Sequence, residues 1–149
     1  MTVQEQVMQD RLERNKDLAR RALDTVINQH QPEAIRQFAS EMYHDHSIFW
    51  RPKSIDEFVN AVKMFTAAFP DQHYEFQDVI AAGDQVVIRG IYSGTHKGAF
   101  AGMPPTGKKF SIVEIDIFRI EGDKIVEHWD AADTASMERQ LGITFPGQS

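Results

Sequence analysis

The chain has 149 residues, a length that suits one domain, with 42% hydrophobic and 26% charged residues, an ordinary globular balance. Its 22 acidic residues exceed its 16 Lys and Arg, for a formal charge of -6. That surplus argues against a nucleic-acid binder, which needs a basic stripe. With no cysteine present, disulfides, thiolate catalysis and sulfur-based zinc sites are excluded.

The first segment, MTVQEQVMQDRLERNKDLARR, is charged throughout and has no apolar h-region. No run approaches the ~18 apolar residues of a membrane span. A cytoplasmic protein is expected. Apolar residues from Val7 to Ile27 recur at helical spacing, most regularly from Leu18 onward, so residues 1–14 read as an N-terminal helical extension. Pro32 suits the first position of a short second helix carrying Ala34, Ile35 and Phe38. The stretch MYHDHSIFWRP then reads as a short strand or turn. Residues 54–69 form the clearest helix: Ser54 and Glu57 make a capping-box pattern, Ile55, Phe58, Val62 and Phe65 lie on one stripe, and Pro70 ends it.

From His73 the period changes to two. Strands are expected at 73–82, 84–95, 110–120 and 124–132, with hairpins at Ala82-Gly83-Asp84 and Gly122-Asp123. A last helix spans 134–141, with Asp133 as its expected N-cap, and 143–149 is a tail. Helices first and an antiparallel sheet second make an α+β pattern. The strand FSIVEIDIFRI is apolar on both faces, so it predicts a second cover, a pocket wall or a partner subunit.

Carboxylates inside apolar strands are costly unless used or paired. Asp116, Asp130 and Glu114 occupy such positions, with His128 beside them. Two registers of the last hairpin decide which of them meet. A two-residue type II′ turn pairs Ile120 with Ile125 and Asp116 with Trp129, leaving His128 and Asp130 on the opposite face. A three-residue bulged loop puts Glu114, Asp116, His128 and Asp130 on one face. The Gly-Asp order favours the first. On a shared face, a carboxylate raised by burial is a candidate general base, and its neighbours set which group holds the proton. Plainer roles compete: Asp116 paired with Arg89 or Arg119, His128 as a core histidine, and Trp129 as core or interface. His44-Asp45-His46 is a weak metal pattern, and no metal site is expected. His30 and His73 read as surface residues. The Gly- and Pro-rich stretch after Thr95 is not a phosphate loop. Its Phe100 and Met103 suggest a loop folded back over something, such as a pocket mouth.

The stretch GTHKGAFAGMPPTGKKF resembles the G-x-H-x-G-x-F-x-G-x-P-P-T-G-K segment of the SnoaL-like polyketide cyclases. FRIEGDKIVEHW with the following aspartate and RQLG is similar to that family's closing hairpin and last helix. YHDHS is similar to its aspartate-histidine motif. The resemblance covers roughly residues 15–142 of a single 1–149 domain and places it in the nuclear transport factor 2-like and ketosteroid isomerase-like superfamily. It implies a cone-shaped curved antiparallel sheet with N-terminal helices enclosing an apolar pocket.

The resemblance further implies a cofactor-independent ester cyclase that closes a ring by intramolecular aldol condensation. The family's acid-base position falls on Asp130. A second pocket position, histidine in some members, falls on Asp116. An aspartate there cannot supply positive charge to an enolate, but in its protonated form it would donate a hydrogen bond, as a neutral carboxyl does in ketosteroid isomerase. The resemblance also favours the bulged register. The expected catalytic group is Asp130, His128 and Asp116. Tyr43, Phe49, Trp50 and Phe100 are expected to hold a flat, small-molecule substrate, with His46, Met103 and Glu114 completing the site. A hydrolase or dehydratase on the same scaffold, or a non-catalytic binding domain, are the competing readings. Neither nucleic acid nor membrane is an expected partner; a homodimer or higher homo-oligomer is.

Overall fold

A computed structural model describes residues 1–47 and 51–146. The expected contributions of Phe49 and Trp50 therefore lie outside the described residues. Helix α1 (Val3–Leu23) starts at a reciprocal cap: the Thr2 hydroxyl accepts from Glu5 N and the Glu5 carboxylate accepts from Thr2 N. Its buried positions are Asn15, Ala19 and Ala22, while Val3, Val7 and Met8 are exposed. A π-helical turn (Asp24–Asn28) follows. The Asn28 amide donates to Tyr74 O and accepts from Tyr74 N, clamping the start of a later strand. The expected second helix is a 3-10 turn at Pro32–Ala34 run into a single α-turn, α2 (Ile35–Phe38).

Strand β1 (Ala39–Asp45) follows directly. Helix α3 (Ile55–Ala68) ends before Phe69-Pro70, because the residue preceding proline avoids helical angles. Ser54 Oγ caps Glu57 N as expected, but the Glu57 carboxylate reaches Lys53 N, one residue earlier than a capping box would have it. Four strands then run in sequence: β2 (His73–Ala82), β3 (Gln85–Thr95), β4 (Lys109–Glu121) and β5 (Lys124–Ala132). Helix α4 (Thr134–Leu141) is capped by Asp133, which accepts from Ser136 N.

The sheet order is β1-β5-β4-β3-β2. Strands β2 to β5 pair antiparallel, as expected, but β1 lies parallel to β5, so the sheet is mixed. A parallel neighbour cannot be reached by a hairpin. Here the connection from β1 passes through α3 and the whole meander before β5 returns beside it.

The last hairpin combines features of both expected registers. Its turn has two residues, Gly122 at φ 60° and Asp123, with Glu121 opposite Lys124 and Ile120 opposite Ile125. Beyond that the pairing shifts between Arg119 and Ile120, and Val126 is the extra residue of a bulge. Phe118 then faces His128, Ile117 faces Trp129 and Asp116 faces Asp130. Gln77 is a second bulge, in β2 between Phe76 and Asp78. Bulges bend a strand and sharpen its twist, and these two curve the sheet around α1, α3 and α4. The apolar residues on the concave side, among them Val26, Val62, Phe65, Ile88 and Phe118, form the core. No helix among the described residues is long and apolar enough to cross a membrane.

Candidate active site

The concave face encloses a cavity of about 340 Å³, a size typical of small-molecule sites. Helix α1 with Ala22, the π-helical turn with Val26, and helix α3 with Phe58 and Phe65 contribute apolar wall. The opposite wall is acidic: Glu114 and Asp116 from β4, His128 and Asp130 from β5, and Asp45 from β1. Neither lysine nor arginine lines the cavity among the described residues.

His128 is the centre of this wall. Its Nε2 lies 2.8 Å from Asp116 Oδ1 and its Nδ1 lies 3.1 Å from Asp45 Oδ2. All three residues are buried. Burial pushes the imidazole toward its neutral form, but the bonds and charges of Asp116 and Asp45 prevail and hold its pKa well above the ordinary histidine value. His128 is thus an imidazolium donating to a carboxylate on each side. Each carboxylate is backed by a tyrosine: Tyr43 OH donates to Asp45, and Tyr74 OH donates to Asp116 Oδ2 at 3.1 Å. Gly90 makes the second contact possible. A Cβ there would fall 2.1 Å from a Tyr74 ring carbon, so only glycine lets that ring lie across β3.

Asp45 also accepts from Ser47 N at 2.8 Å. Burial pulls its pKa up, and the bond and charge of His128 outweigh that and hold it below the usual range. Asp130 shifts the other way. Its burial and the Asp116 charge raise it, against the pull of the His128 charge and of the Ser47 hydroxyl that donates to Oδ2 at 3.0 Å. Glu114 is raised well above the carboxylate range by burial, then by Asp116 and Asp130.

Asp116, Asp130, His128, Glu114 and Tyr43 therefore meet in the cavity. His46, Phe100 and Met103 do not line it. His46 projects from the other side of the sheet, stacked 4.7 Å from Trp129 and bonded to Glu127. The loop after β3 does fold back, but onto the end of α3: Lys97 N and Gly98 N donate to Ala68 O, and the Phe100 ring packs on Phe65 and Phe69. Phe100 is thus one layer behind the wall, in contact with the wall residue Phe65. Met103 pairs with Phe100 across that loop. The competing reading of Asp116 as an ion-pair partner of Arg89 or Arg119 does not hold. Those arginines project from the convex face, to Asp78 and to Glu127 and Glu121.

Asp45 and Ser47 were missed as site residues. Their signal is the alternation Tyr43, Asp45, Ser47, three buried positions separated by exposed ones. What sequence cannot convey is that β1 lands beside His128. His44-Asp45-His46 does not form a cluster, since the strand sends Asp45 inward and the histidines outward. The ligand atoms of Asp116, His128 and Asp130 lie within 4.8 Å of one another and are the one group among the described residues spaced to hold a metal ion. A cation there would displace the Asp116–His128 bond.

The wall thus offers a partly buried carboxylate of raised basicity beside a fixed cation, in an apolar enclosure. That arrangement suits transfer of a proton from carbon. Residues 17–141 match the family described as SnoaL-like polyketide cyclase. The chain is 32% identical over 103 residues to the nogalonic acid methyl ester cyclase of Streptomyces nogalater, covering 68% of this chain and 75% of that protein. It is 35% identical over 92 residues to the aklanonic acid methyl ester cyclase of Streptomyces peucetius, covering 61% and 63%. Among solved structures, IdmH from Streptomyces antibioticus superposes with a TM-score of 0.75 at 28% identity, covering 87% of this chain and 99% of that one. TsrD from Streptomyces laurentii gives 0.77 at 26%, covering 89% and 97%. The chain belongs to the SnoaL-like polyketide cyclase family.

Proposed function

We propose that this protein closes a ring in an ester of an aromatic polyketide acid by intramolecular aldol condensation, with Asp130 as general base and then general acid. The observation that carries the reading is Asp130 itself: half-buried on the cavity wall, raised in pKa by burial, and oriented by the Ser47 hydroxyl. Asp130 takes the proton from the methylene activated by its neighbouring carbonyls. The resulting carbon nucleophile attacks a second carbonyl of the same molecule. Asp130 then returns its proton to the new alkoxide. His128 keeps its proton throughout and acts as a fixed positive charge, because both of its N–H groups are engaged by Asp45 and Asp116. The rings of Tyr43, Phe58, Phe65 and Phe118 suit a flat substrate. No cofactor enters the scheme.

The convex face of the sheet carries exposed Ile80, Val113 and Ile115. We read it as the contact between two copies of the chain. The test of the catalytic reading is incubation of the purified protein with nogalonic acid methyl ester and aklanonic acid methyl ester. Conversion of either to a cyclised product of unchanged mass supports it. No conversion of these or of related polyketide esters by folded protein counts against it.

A further inference from the structure

Glu114 is the one acid on the cavity wall, among the described residues, whose carboxyl has no hydrogen-bond partner. Asp45 is held by Tyr43, Ser47 and His128, Asp116 by His128 and Tyr74, and Asp130 by Ser47. Across the sheet Glu114 faces Gly90 on β3 and Ala132 on β5, both too small to fill the space above it. Its charged neighbours are Asp116, Asp130 and His128, and the rings of Tyr74 and Tyr92 stand nearby. With two acids beside it and no donor of its own, an ionised Glu114 would be a costly charge.

Among the described residues, and apart from the Thr134 hydroxyl at the start of α4, the side-chain donors around the acidic wall are spent. The His128 N–H groups go to Asp45 and Asp116, Tyr43 OH to Asp45, Tyr74 OH to Asp116 and Tyr92 OH to Gln72. An enolate formed here needs a donor aimed at its oxygen, since such donors are usually the largest single contribution to stabilising developing charge.

Resting on the proposed cyclisation, we propose that Glu114 is a catalytic residue that keeps its proton and donates a hydrogen bond to the carbonyl oxygen that becomes the enolate. As Asp130 takes the α-proton, the C–H electron pair forms the C=C bond and the carbonyl π pair moves onto oxygen. That oxygen accepts the Glu114 O–H while the proton stays on Glu114. When the new C–C bond forms, the pair returns to the C=O, the attacked carbonyl becomes an alkoxide, and Asp130 protonates it. Substrate and product are isomers, and Glu114 ends as it began.

Infrared difference spectroscopy on the whole protein at neutral pH tests the proton directly. The expected spectrum has a neutral carboxylic acid carbonyl band that is lost in Glu114→Gln and kept in Asp130→Asn. A wild-type spectrum without that band, or a band that survives in Glu114→Gln, overturns the proposal. Turnover of nogalonic acid methyl ester gives the second readout. Glu114→Leu should lose kcat by about 10²-fold or more, with Glu114→Gln, whose amide still donates, within about tenfold of wild type. Equal kcat in wild type and Glu114→Leu also overturns it. If the wild-type protein turns over no ester, the cyclase reading fails, and the infrared band alone decides whether Glu114 carries its proton.

Discussion

Glu127 and Asp130 lie three residues apart on β5, on opposite faces of one sheet, and their acidities move in opposite directions. Glu127 is partly open to solvent and accepts from His46 Nε2 at 2.7 Å and Arg119 Nε at 2.6 Å. Those bonds hold it below the usual carboxylate range. Asp130 faces the cavity, where burial and a like charge raise it. The same strand thus carries an ion-paired carboxylate of lowered pKa on one side and a carboxylate of raised pKa on the other. Surroundings assign the role, and the bulge at Val126 decides which residues receive which surroundings.

The largest effect should come from Asp130→Asn. It should lower turnover of a polyketide ester by about 10³-fold or more while ligand binding persists, whereas Glu127→Gln should stay near wild type. Steady-state kinetics beside equilibrium titration would separate the two. Comparable losses in both variants would erase the distinction between the faces.

Next come the buried ions. Asp45→Asn or His128→Gln strands a charge inside the protein, and each should cost about 3–5 kcal/mol in urea unfolding. Arg119→Gln, on the solvent side, should cost little, with a loss that shrinks further at high salt.

The pH dependence of stability follows from the same cluster. The folded pKa of His128 is raised above its unfolded value near 6.5, so its contribution is full below that value and is lost as pH rises through the folded pKa. That of Asp45 is depressed below 3.8, so its contribution is present above that value and fades as pH falls through the folded pKa. Urea midpoints measured across pH should decline on the alkaline side in wild type and decline less in His128→Gln.

Smaller again is the effect of Ser47→Ala. Without the hydroxyl, ionised Asp130 loses a donor, and the acidic limb of the kcat/KM profile should move up by ~1 pH unit. An unmoved limb would assign that limb to another group. Least of all, Val113→Lys with Ile115→Lys should leave the chemistry of a single cavity untouched but abolish self-association in sedimentation. A wild-type protein that sediments as a monomer at micromolar concentration contradicts the assigned contact.

Local pattern was enough for α3, for the four antiparallel strands and for Asp133 as a cap, because each is written in neighbouring residues. The residues Gly122-Asp123 favoured the two-residue turn that forms, whereas the three-residue loop favoured by the family resemblance does not form. The bulge at Val126 was not readable from neighbouring residues. It sits inside a strand with no glycine or proline to mark it, yet it sets the faces of His128 and Asp130. Asp116 and Asp130 stood out as acids in apolar strands. Asp45 did not, since its importance depends on β1 lying parallel to a strand some eighty residues later, a long-range pairing that leaves no trace in local periodicity. The loop carrying Phe100 folds back as expected, but onto the end of α3, so Phe100 does not reach the cavity it was expected to line.

The proposed cyclisation requires Asp130 to remove a proton from carbon. Exchange of the activated methylene of nogalonic acid methyl ester with deuterium from heavy water, followed by mass spectrometry in the presence of enzyme, measures that step directly. Wild type should speed incorporation and Asp130→Asn, still binding the ester, should not. Equal incorporation by both would contradict the assignment of Asp130 as the base.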